Sequence, residues 1–148
     1  MNLLAPIKSI MSDKLITISE NDPLSKVDEI FNEFHIHHIP VADKGKLIGM
    51  VSRSDYLFFK RGFNNNDMDK RLDALRLKTH TAGEIMTKGL AMMDSDQKIN
   101  VALEVFKENL FHAIPINENG NLVGIVTTFD IINKLAEDKG AVNKYMNT

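Results

Sequence analysis

The stretch Gly49-Met50-Val51-Ser52-Arg53-Ser54-Asp55 recurs 75 positions later as Gly124-Ile125-Val126-Thr127-Thr128-Phe129-Asp130. The same shift, without any gap, aligns further pairs on either side of it: Ile10-Met11 with Ile85-Met86, His37-x-Ile39-Pro40 with His112-x-Ile114-Pro115, and Gly45 with Gly120. An ungapped register that preserves glycines, prolines and apolar positions indicates one supersecondary unit used twice. Two copies of this length predict a pseudo-symmetric domain rather than a solenoid.

The composition is that of a globular protein. The 148 residues are 43% hydrophobic and 26% charged, which is enough apolar material for one compact core. A net charge of −2 gives no electrostatic reason to expect a nucleic-acid or membrane partner. The absence of cysteine excludes disulfides and thiolate metal sites. Since neither a signal peptide nor a membrane-spanning run is recognisable, a cytoplasmic location is expected.

Each repeat predicts the element order β-α-β-β-α, and therefore an α/β or α+β fold with helices on one face of small sheets. Apolar runs at 15–18 and 90–93 predict the first strand of each repeat. Asp22 and Asp96 are expected to cap the helices that follow, because apolar residues then recur at helical spacing.

A hairpin and a second helix complete each repeat. The first hairpin strands contain Pro40 and Pro115, which favour an edge or irregular position because proline donates no ladder hydrogen bond. The closing helices are predicted to begin at Ser54 and near Phe129. The hairpin strands are predicted at 36–42 and 47–52, and again at 111–117 and 122–127.

These elements define the predicted domain organisation. Repeat 1 covers 5–60 and repeat 2 covers 81–137. Between them, 61–80 forms a connecting loop around Asn64-Asn65-Asn66-Asp67 and a short helix. The segment 138–148 is predicted to be a polar tail.

The doubled pairs Ser52/Asp55 and Thr127/Asp130 are the sharpest functional candidates. A hydroxyl and a carboxylate at the start of a helix can hold a polyol, because the carboxylate accepts hydrogen bonds from vicinal hydroxyls and the helix start favours phosphate. The same spacing is also a capping box, which could exist only to start the helix. The spacing alone leaves both roles open.

These motifs, twice and in order, resemble CBS domains, and the tandem pair resembles a Bateman module. The resemblance implies an adenosine-containing ligand such as AMP, ADP, ATP, S-adenosylmethionine or NAD, bound in clefts between the repeats. The family's ribose-binding aspartate matches Asp55 and Asp130, and its hydroxyl residue matches Ser52 and Thr127. The other positions that the resemblance assigns to the ligand are Ile16, Thr17, His37, His38, Ile39 and Pro40 in repeat 1, and Ala91, Met92, His112, Ala113, Ile114 and Pro115 in repeat 2.

One position departs from the family pattern. Nucleotide-binding members often carry arginine just before the Ile-Pro pair, where this chain has His38 and Ala113. Ala113 cannot hold a phosphate, whereas His38 can, especially when it is protonated. The cleft that combines Thr127 and Asp130 with the His37-His38 strand is therefore expected to be the stronger site, and Arg53, Lys8 and Lys14 are further candidates for phosphate contacts.

The histidine cluster His35, His37 and His38 does not predict a metal site. Only two of these imidazoles can converge from one strand, whereas zinc needs three or four ligands. No nucleophile–base pair or phosphate-binding loop is recognisable, so the chain is not expected to be an enzyme or to require a cofactor. An enzyme that uses the histidines is the least favoured hypothesis.

The leading hypothesis is a regulatory module that senses an adenosyl ligand and signals to an effector protein in trans. The alternative is a purely structural dimerisation module with degenerate ligand clefts. In either case the apolar run Leu57-Phe58-Phe59 is wider than one buried helix face needs, which predicts an interface. Together with Ile131, Ile132 and Leu135 in the second repeat, it predicts a homodimer.

Overall fold

The computed structural model describes residues 1–63, 67–109 and 111–138. The chain divides into two compact units. The continuous unit is formed by residues 16–90, and the split unit combines residues 1–15 with the chain from Ala91 onward. The units therefore do not coincide with the sequence repeats. The leading segment of repeat 1 lies in the unit that contains the repeat 2 hairpin, and the leading segment of repeat 2 lies in the unit that contains the repeat 1 hairpin.

The continuous unit is built on an antiparallel hairpin in which His38 lies opposite Ser52. Ile18 joins this hairpin through a parallel bridge to Val41. At the tip, Lys44 and Gly45 adopt positive φ angles of 48° and 81°, which suits a two-residue turn. The elements are α1 (Leu24–Glu33), β1 (His38–Asp43), β2 (Lys46–Ser52), α2 (Arg53–Phe59), a 3₁₀ turn (Lys60–Gly62), α3 (Asp67–Thr79) and α4 (Ala82–Ile85).

The split unit repeats this arrangement with one more strand. Its sheet order is β3-β4-β5, with β3 parallel and β5 antiparallel to β4, and Ala113 lies opposite Thr127. The elements are a 3₁₀ turn (Ile7–Ser9), β3 (Met93–Asp94), α5 (Ile99–Asn109), β4 (Ala113–Glu118), β5 (Asn121–Thr127) and α6 (Thr128–Ala136). The mixed α+β class predicted from the sequence is confirmed.

Each unit has its own core, and the exchanged segment contributes to it. In the continuous unit, Ala82 is buried with the apolar face of α1, and Ile85 and Met86 pack against the same cluster. In the split unit, Ile7 is fully buried, and Ile10 and Met11 pack beside it. The Ile-Met motif that opens each repeat therefore serves the core of the other repeat's hairpin.

The two exchanged methionines require glycine on the strand that they cover. A β-carbon at Gly124 would lie 3.0 Å from Met11 Cγ and 3.2 Å from the Ser12 carbonyl oxygen. At Gly49 the three nearest atoms all belong to Met86, with Cγ at 2.9 Å. These close approaches explain why both repeats carry glycine three residues before the Ser52 or Thr127 position.

Backbone hydrogen bonds hold both segments beside these strands. Met50 N donates to Thr87 O at 3.0 Å and Thr87 N returns a bond to Met50 O at 2.8 Å. Ser12 and Ile125 exchange the equivalent bonds at 2.9 and 3.0 Å. The leading segments are thus attached to the strands as well as packed on them.

Two helix starts differ from the sequence predictions. Helix α1 begins at Leu24 with Pro23 at the N-cap, and no side chain caps it. Asp22 lies one residue before this N-cap, and its Oδ2 accepts hydrogen bonds from Ser19 N and from the Lys26 side chain, each at 2.8 Å. Helix α5 begins at Ile99, and Asp96 pairs with Lys8 rather than capping it.

The strands predicted at 15–18 and 90–93 are also shorter than expected. Only Ile18 bridges to the first hairpin, and Met93–Asp94 forms the short β3. The chain passes from one unit to the other just before each of these residues, so little of either run reaches a sheet. Pro115 lies on the middle strand β4, which is tolerated because β3 pairs only with Ile116 and Asn117.

Some predictions fall on residues that the structure does not describe. The loop at 64–66, Leu110 in the predicted apolar stripe, and the tail from 139 onward lie outside the described residues. Within the described part of the chain, no helix combines the length and the apolar character that crossing a bilayer requires.

The contact between Gly49 and Met86 predicts a non-additive pair of substitutions. Gly49→Ala should destabilise the protein by about 1–3 kcal/mol, because the added methyl group overlaps Met86. In a Met86→Ala background the same change should cost at least about 0.5 kcal/mol less, because the overlapping atoms are gone. Urea unfolding of the four proteins measures this coupling, and equal costs in both backgrounds would show that the contact is not what requires glycine.

Candidate functional site

A complete capping box forms the start of α6. Thr127, the last residue of β5, is the N-cap, and its hydroxyl oxygen accepts a hydrogen bond from Asp130 N at 3.2 Å. Asp130 Oδ2 accepts from Thr127 N at 2.7 Å and from the Thr127 hydroxyl at 2.6 Å. The capping role considered from the sequence is therefore present.

The start of α2 has the same box with one difference. Ser52 Oγ accepts from Asp55 N at 3.0 Å, and Asp55 Oδ2 accepts from Ser52 N at 3.0 Å. The Ser52 hydroxyl makes no bond to the carboxylate, unlike Thr127. Asp130 is accordingly held by two donors and Asp55 by one.

Each box uses only one oxygen of its carboxylate. Both Asp55 and Asp130 accept through Oδ2, and Oδ1 accepts no hydrogen bond from the residues that the structure describes. A carboxylate has about four lone-pair positions, so the second oxygen retains its capacity to accept. Capping and ligand binding are therefore compatible roles for the same side chain.

The hairpins bring the first-strand residues to these helix starts. His38 lies directly opposite Ser52, and Ala113 opposite Thr127. The carbonyl oxygen of His37 accepts from Arg53 N at 2.8 Å, and that of His112 accepts from Thr128 N at 3.1 Å. Each unit thus places one hydroxyl, one carboxylate and the entry of its first hairpin strand at a common edge.

The remaining predicted site residues divide by exposure. Thr17, His37, Met92 and His112 are exposed, and Ile16 and Ala91 are half-buried. The side chains of Ile39, Pro40, Ile114 and Pro115 are buried. These four side chains therefore pack in the core of their own unit, where they fix the position of β1 or β4.

Two of the cations considered for phosphate are engaged elsewhere in their own units. Arg53 Nη1 donates to the Phe31 carbonyl at 3.4 Å, and its guanidinium lies 6.0 Å from the Phe31 ring centroid. Lys8 Nζ lies 2.6 Å from Asp96 Oδ1. Lys14 is exposed.

A polar anchor beside Asp55 was not predicted from the sequence. Tyr56 is buried, and its hydroxyl donates to Asp28 Oδ1. Lys60 Nζ lies 3.8 Å from the same oxygen and 5.3 Å from the Tyr56 ring centroid. This group fastens the first turn of α2 to α1.

The split unit has no counterpart of this anchor. Its residues at the positions of Tyr56 and Asp28 are Ile131 and Leu103, which belong to an apolar cluster. Comparing the two repeats at these positions would have revealed the difference, since a tyrosine and an aspartate in repeat 1 align with two apolar residues in repeat 2. The two helix starts are therefore held by different chemistry.

Metal ligation was also considered for the histidines. His35 and His37 are both exposed. Across residues 1–63, 67–109 and 111–138, no three His, Asp or Glu side chains lie close enough together to hold a metal ion.

The family model for the CBS domain matches residues 7–62 and 82–137. The chain belongs to the CBS domain family. An uncharacterised protein of Methanocaldococcus jannaschii is similar to it, with 29% identity over 154 aligned residues that cover 87% of this chain and 90% of that protein. In three other relatives from that organism the match spans only 22–34% of their own length.

Solved CBS structures share the fold. The CBS domain pair of protein MJ0100, in complex with 5′-methylthioadenosine and S-adenosylmethionine, superimposes with a TM-score of 0.72 at 24% identity, covering 92% of this chain and 99% of that one. CBSX2 in complex with AMP superimposes with a TM-score of 0.71 at 22% identity, covering 90% and 97%.

The Tyr56–Asp28 anchor predicts a pH dependence of stability. Burial and the hydrogen bond to Asp28 raise the pKa of Tyr56. The stability gained from this shift is fully present below the ordinary tyrosine pKa of about 10 and is lost as the pH rises toward the raised value of the folded state. Tyr56→Phe should therefore lose less stability than the wild type between pH 9 and 11, as measured by urea unfolding. Parallel profiles for the two proteins would contradict the anchor.

Proposed function

We propose that this chain is a non-catalytic regulatory module that binds an adenosine-containing ligand, namely AMP, ADP, ATP or S-adenosylmethionine, and signals to an effector protein in trans. The observation that carries the proposal is that the capping boxes hold Oδ2 of Asp55 and Asp130 at a helix start, while Oδ1 accepts no hydrogen bond from the residues that the structure describes. The adenosyl ligands bound in the structures of the MJ0100 CBS domain pair and of CBSX2 support the same ligand class.

The chemistry suits a ribose. Vicinal hydroxyl groups donate hydrogen bonds, and a carboxylate oxygen accepts them with charge assistance. Because Oδ2 is already held by the backbone, the side chain is pre-organised and loses little rotamer freedom on binding. A cap of this kind makes the aspartate ready for a diol before the ligand arrives.

The Thr127/Asp130 start is the principal site in this proposal. Two donors orient the Asp130 carboxylate, against one for Asp55. Its strand neighbour is the buried Ala113, whereas His38 lies opposite Ser52. Met92 is 51% exposed in the segment before β3 and offers an apolar surface for an adenine ring.

A thermal-shift panel with AMP, ADP, ATP and S-adenosylmethionine tests this proposal. A ligand at about 100 times its Kd should stabilise the protein by about 2.7 kcal/mol and raise Tm by several degrees. Asp130→Asn should abolish most of that shift while keeping the apo stability within about 1 kcal/mol, because the amide oxygen still caps the helix.

Asp43→Asn is the matched control, because Asp43 is an exposed carboxylate at the far end of β1. It should keep the full ligand shift. A wild-type protein that responds to none of the four ligands, or an Asp130→Asn variant with an unchanged shift, would refute the ribose role and favour the structural alternative.

We also propose that the chain forms a homodimer through its closing helices. Leu57 and Phe58 on α2 are 53% and 66% exposed, and Phe129, Ile132 and Leu135 on α6 are 66%, 60% and 49% exposed. Apolar clusters of this kind on a helix usually mark an interface. Two residues predicted for it are excluded: Ile131 is buried in the core of its unit, and Phe59 packs on the core of the other unit, 5.8 Å from Phe63 and 5.2 Å from His80 between ring centroids.

Light scattering tests the dimer. With a chain mass of 16.7 kDa, the wild type should appear at about 33 kDa at tens of micromolar, and Phe58→Glu should shift it toward the monomer because a charge enters an apolar contact. Leu4→Glu is the control, since Leu4 is 63% exposed but lies outside both helices. A wild-type protein at about 17 kDa would rule out this interface.

A further inference from the structure

The charge of the chain is unevenly distributed. The whole sequence carries −2, yet the segment between Tyr56 and His80 exposes the cations Arg61, Lys70, Arg71, Arg76 and Lys78. Among the side chains that the structure describes in this segment, no carboxylate is exposed, since Asp69 is half-buried and Asp73 is 8% exposed. The connecting helix α3 carries four of the five cations against three aspartates in its sequence, so it is net positive by one charge on a weakly acidic protein.

In helix α3 the usual placement of polar and apolar side chains is also reversed. Asp73 points inward, where its Oδ1 lies 3.4 Å from Arg76 Nη1. Leu72 and Leu75 are 50% and 56% exposed. Residues three apart share a helix face, so the two leucines form one outward apolar stripe. A helix normally turns such a stripe toward its own core, and α3 turns it toward solvent.

Cations border this stripe on both sides. Arg71 precedes Leu75 by four residues and Lys78 follows it by three, so both are its neighbours on the helix surface. Arg76 follows Leu72 by four residues and lies on the opposite side of the stripe. A second copy of α3 would oppose these same cations to one another, so like-charge repulsion disfavours a self-paired helix.

We infer that the exposed face of α3 docks on an anionic lipid surface. Leucines in a narrow stripe can enter the headgroup boundary while flanking arginine and lysine side chains reach lipid phosphates. The opposite face of α3 packs against α1, and Leu77 joins the core. Only the outer half of the helix is thus accessible, which suits a flat surface better than a groove that encloses a helix. This peripheral contact is separate from the adenosyl site and does not depend on it.

Vesicle flotation with the full chain tests the inference. The probes are vesicles of phosphatidylcholine alone and of phosphatidylcholine with about one quarter phosphatidylglycerol. The protein should float with the anionic vesicles and not with the neutral ones, and raised salt should release it. Leu72→Ser/Leu75→Ser and Arg71→Gln/Lys78→Gln should each reduce the bound fraction about tenfold, because the apolar and charged contacts are both required.

Matched controls change similar residues elsewhere. Leu3→Ser/Leu4→Ser removes an exposed apolar pair from the split unit, and Lys44→Gln/Lys46→Gln removes exposed lysines from the first hairpin. Both should bind as the wild type does, and thermal melts confirm that all variants are folded. Failure of the wild type to float with anionic vesicles overturns the inference.

Two other outcomes also overturn it. If only the charge variant loses binding, the leucines have no part in it; a single-stranded oligonucleotide that binds the wild type with the same sensitivity would then identify a polyanion surface instead. If the control variants lose as much binding as the α3 variants, the attachment is not located on α3.

Discussion

Two methionine–glycine contacts determine how the rest of this structure is arranged. Met11 covers Gly124 and Met86 covers Gly49, so each repeat places its leading segment in the unit of the other. The strands that carry these glycines end three residues later at Thr127 and Ser52, where the capping boxes begin. Because the methionines pack closely on those strands, the same contacts stabilise the core and fix the strand ends where the candidate site lies.

The duplicated scaffold carries two chemically different candidate sites. Ala113 faces Thr127 in one unit, whereas His38 faces Ser52 in the other. Behind the helix starts, Ile131 and Leu103 of an apolar cluster occupy the positions that correspond to the part-buried hydrogen bond between Tyr56 and Asp28. Two units with the same fold but different residues at the helix start could bind one ligand in two different ways. Alternatively, one unit could bind the ligand while the other has only a structural role.

Local patterns predicted most of the fold and the capping boxes of the candidate site. The hairpins, the apolar face of α1 and both capping boxes follow from spacing within a few residues, so the sequence was sufficient for them. The exchange of leading segments depends on contacts about 75 residues apart in sequence, and no local pattern reports them. The orientation of α3, with its leucines outward and Asp73 inward, could not be predicted for a similar reason. Periodicity locates an apolar stripe on a helix but does not show whether another element covers it. The residue types predicted a diol-binding carboxylate, but ligand choice depends on a bound geometry that spacing does not contain.

The central claim is that an adenosyl ligand binds at an aspartate that also caps a helix, and a ¹⁵N backbone NMR titration with AMP tests it most directly. We expect saturable shifts of the amide signals of Thr128, Phe129 and Asp130 and of their strand neighbour Ala113, and the loss of these shifts in Asp130→Asn. Saturable shifts confined to other parts of the chain, such as the acidic turn from Asp94 to Gln97, would contradict it. So would an unchanged spectrum with AMP and with S-adenosylmethionine.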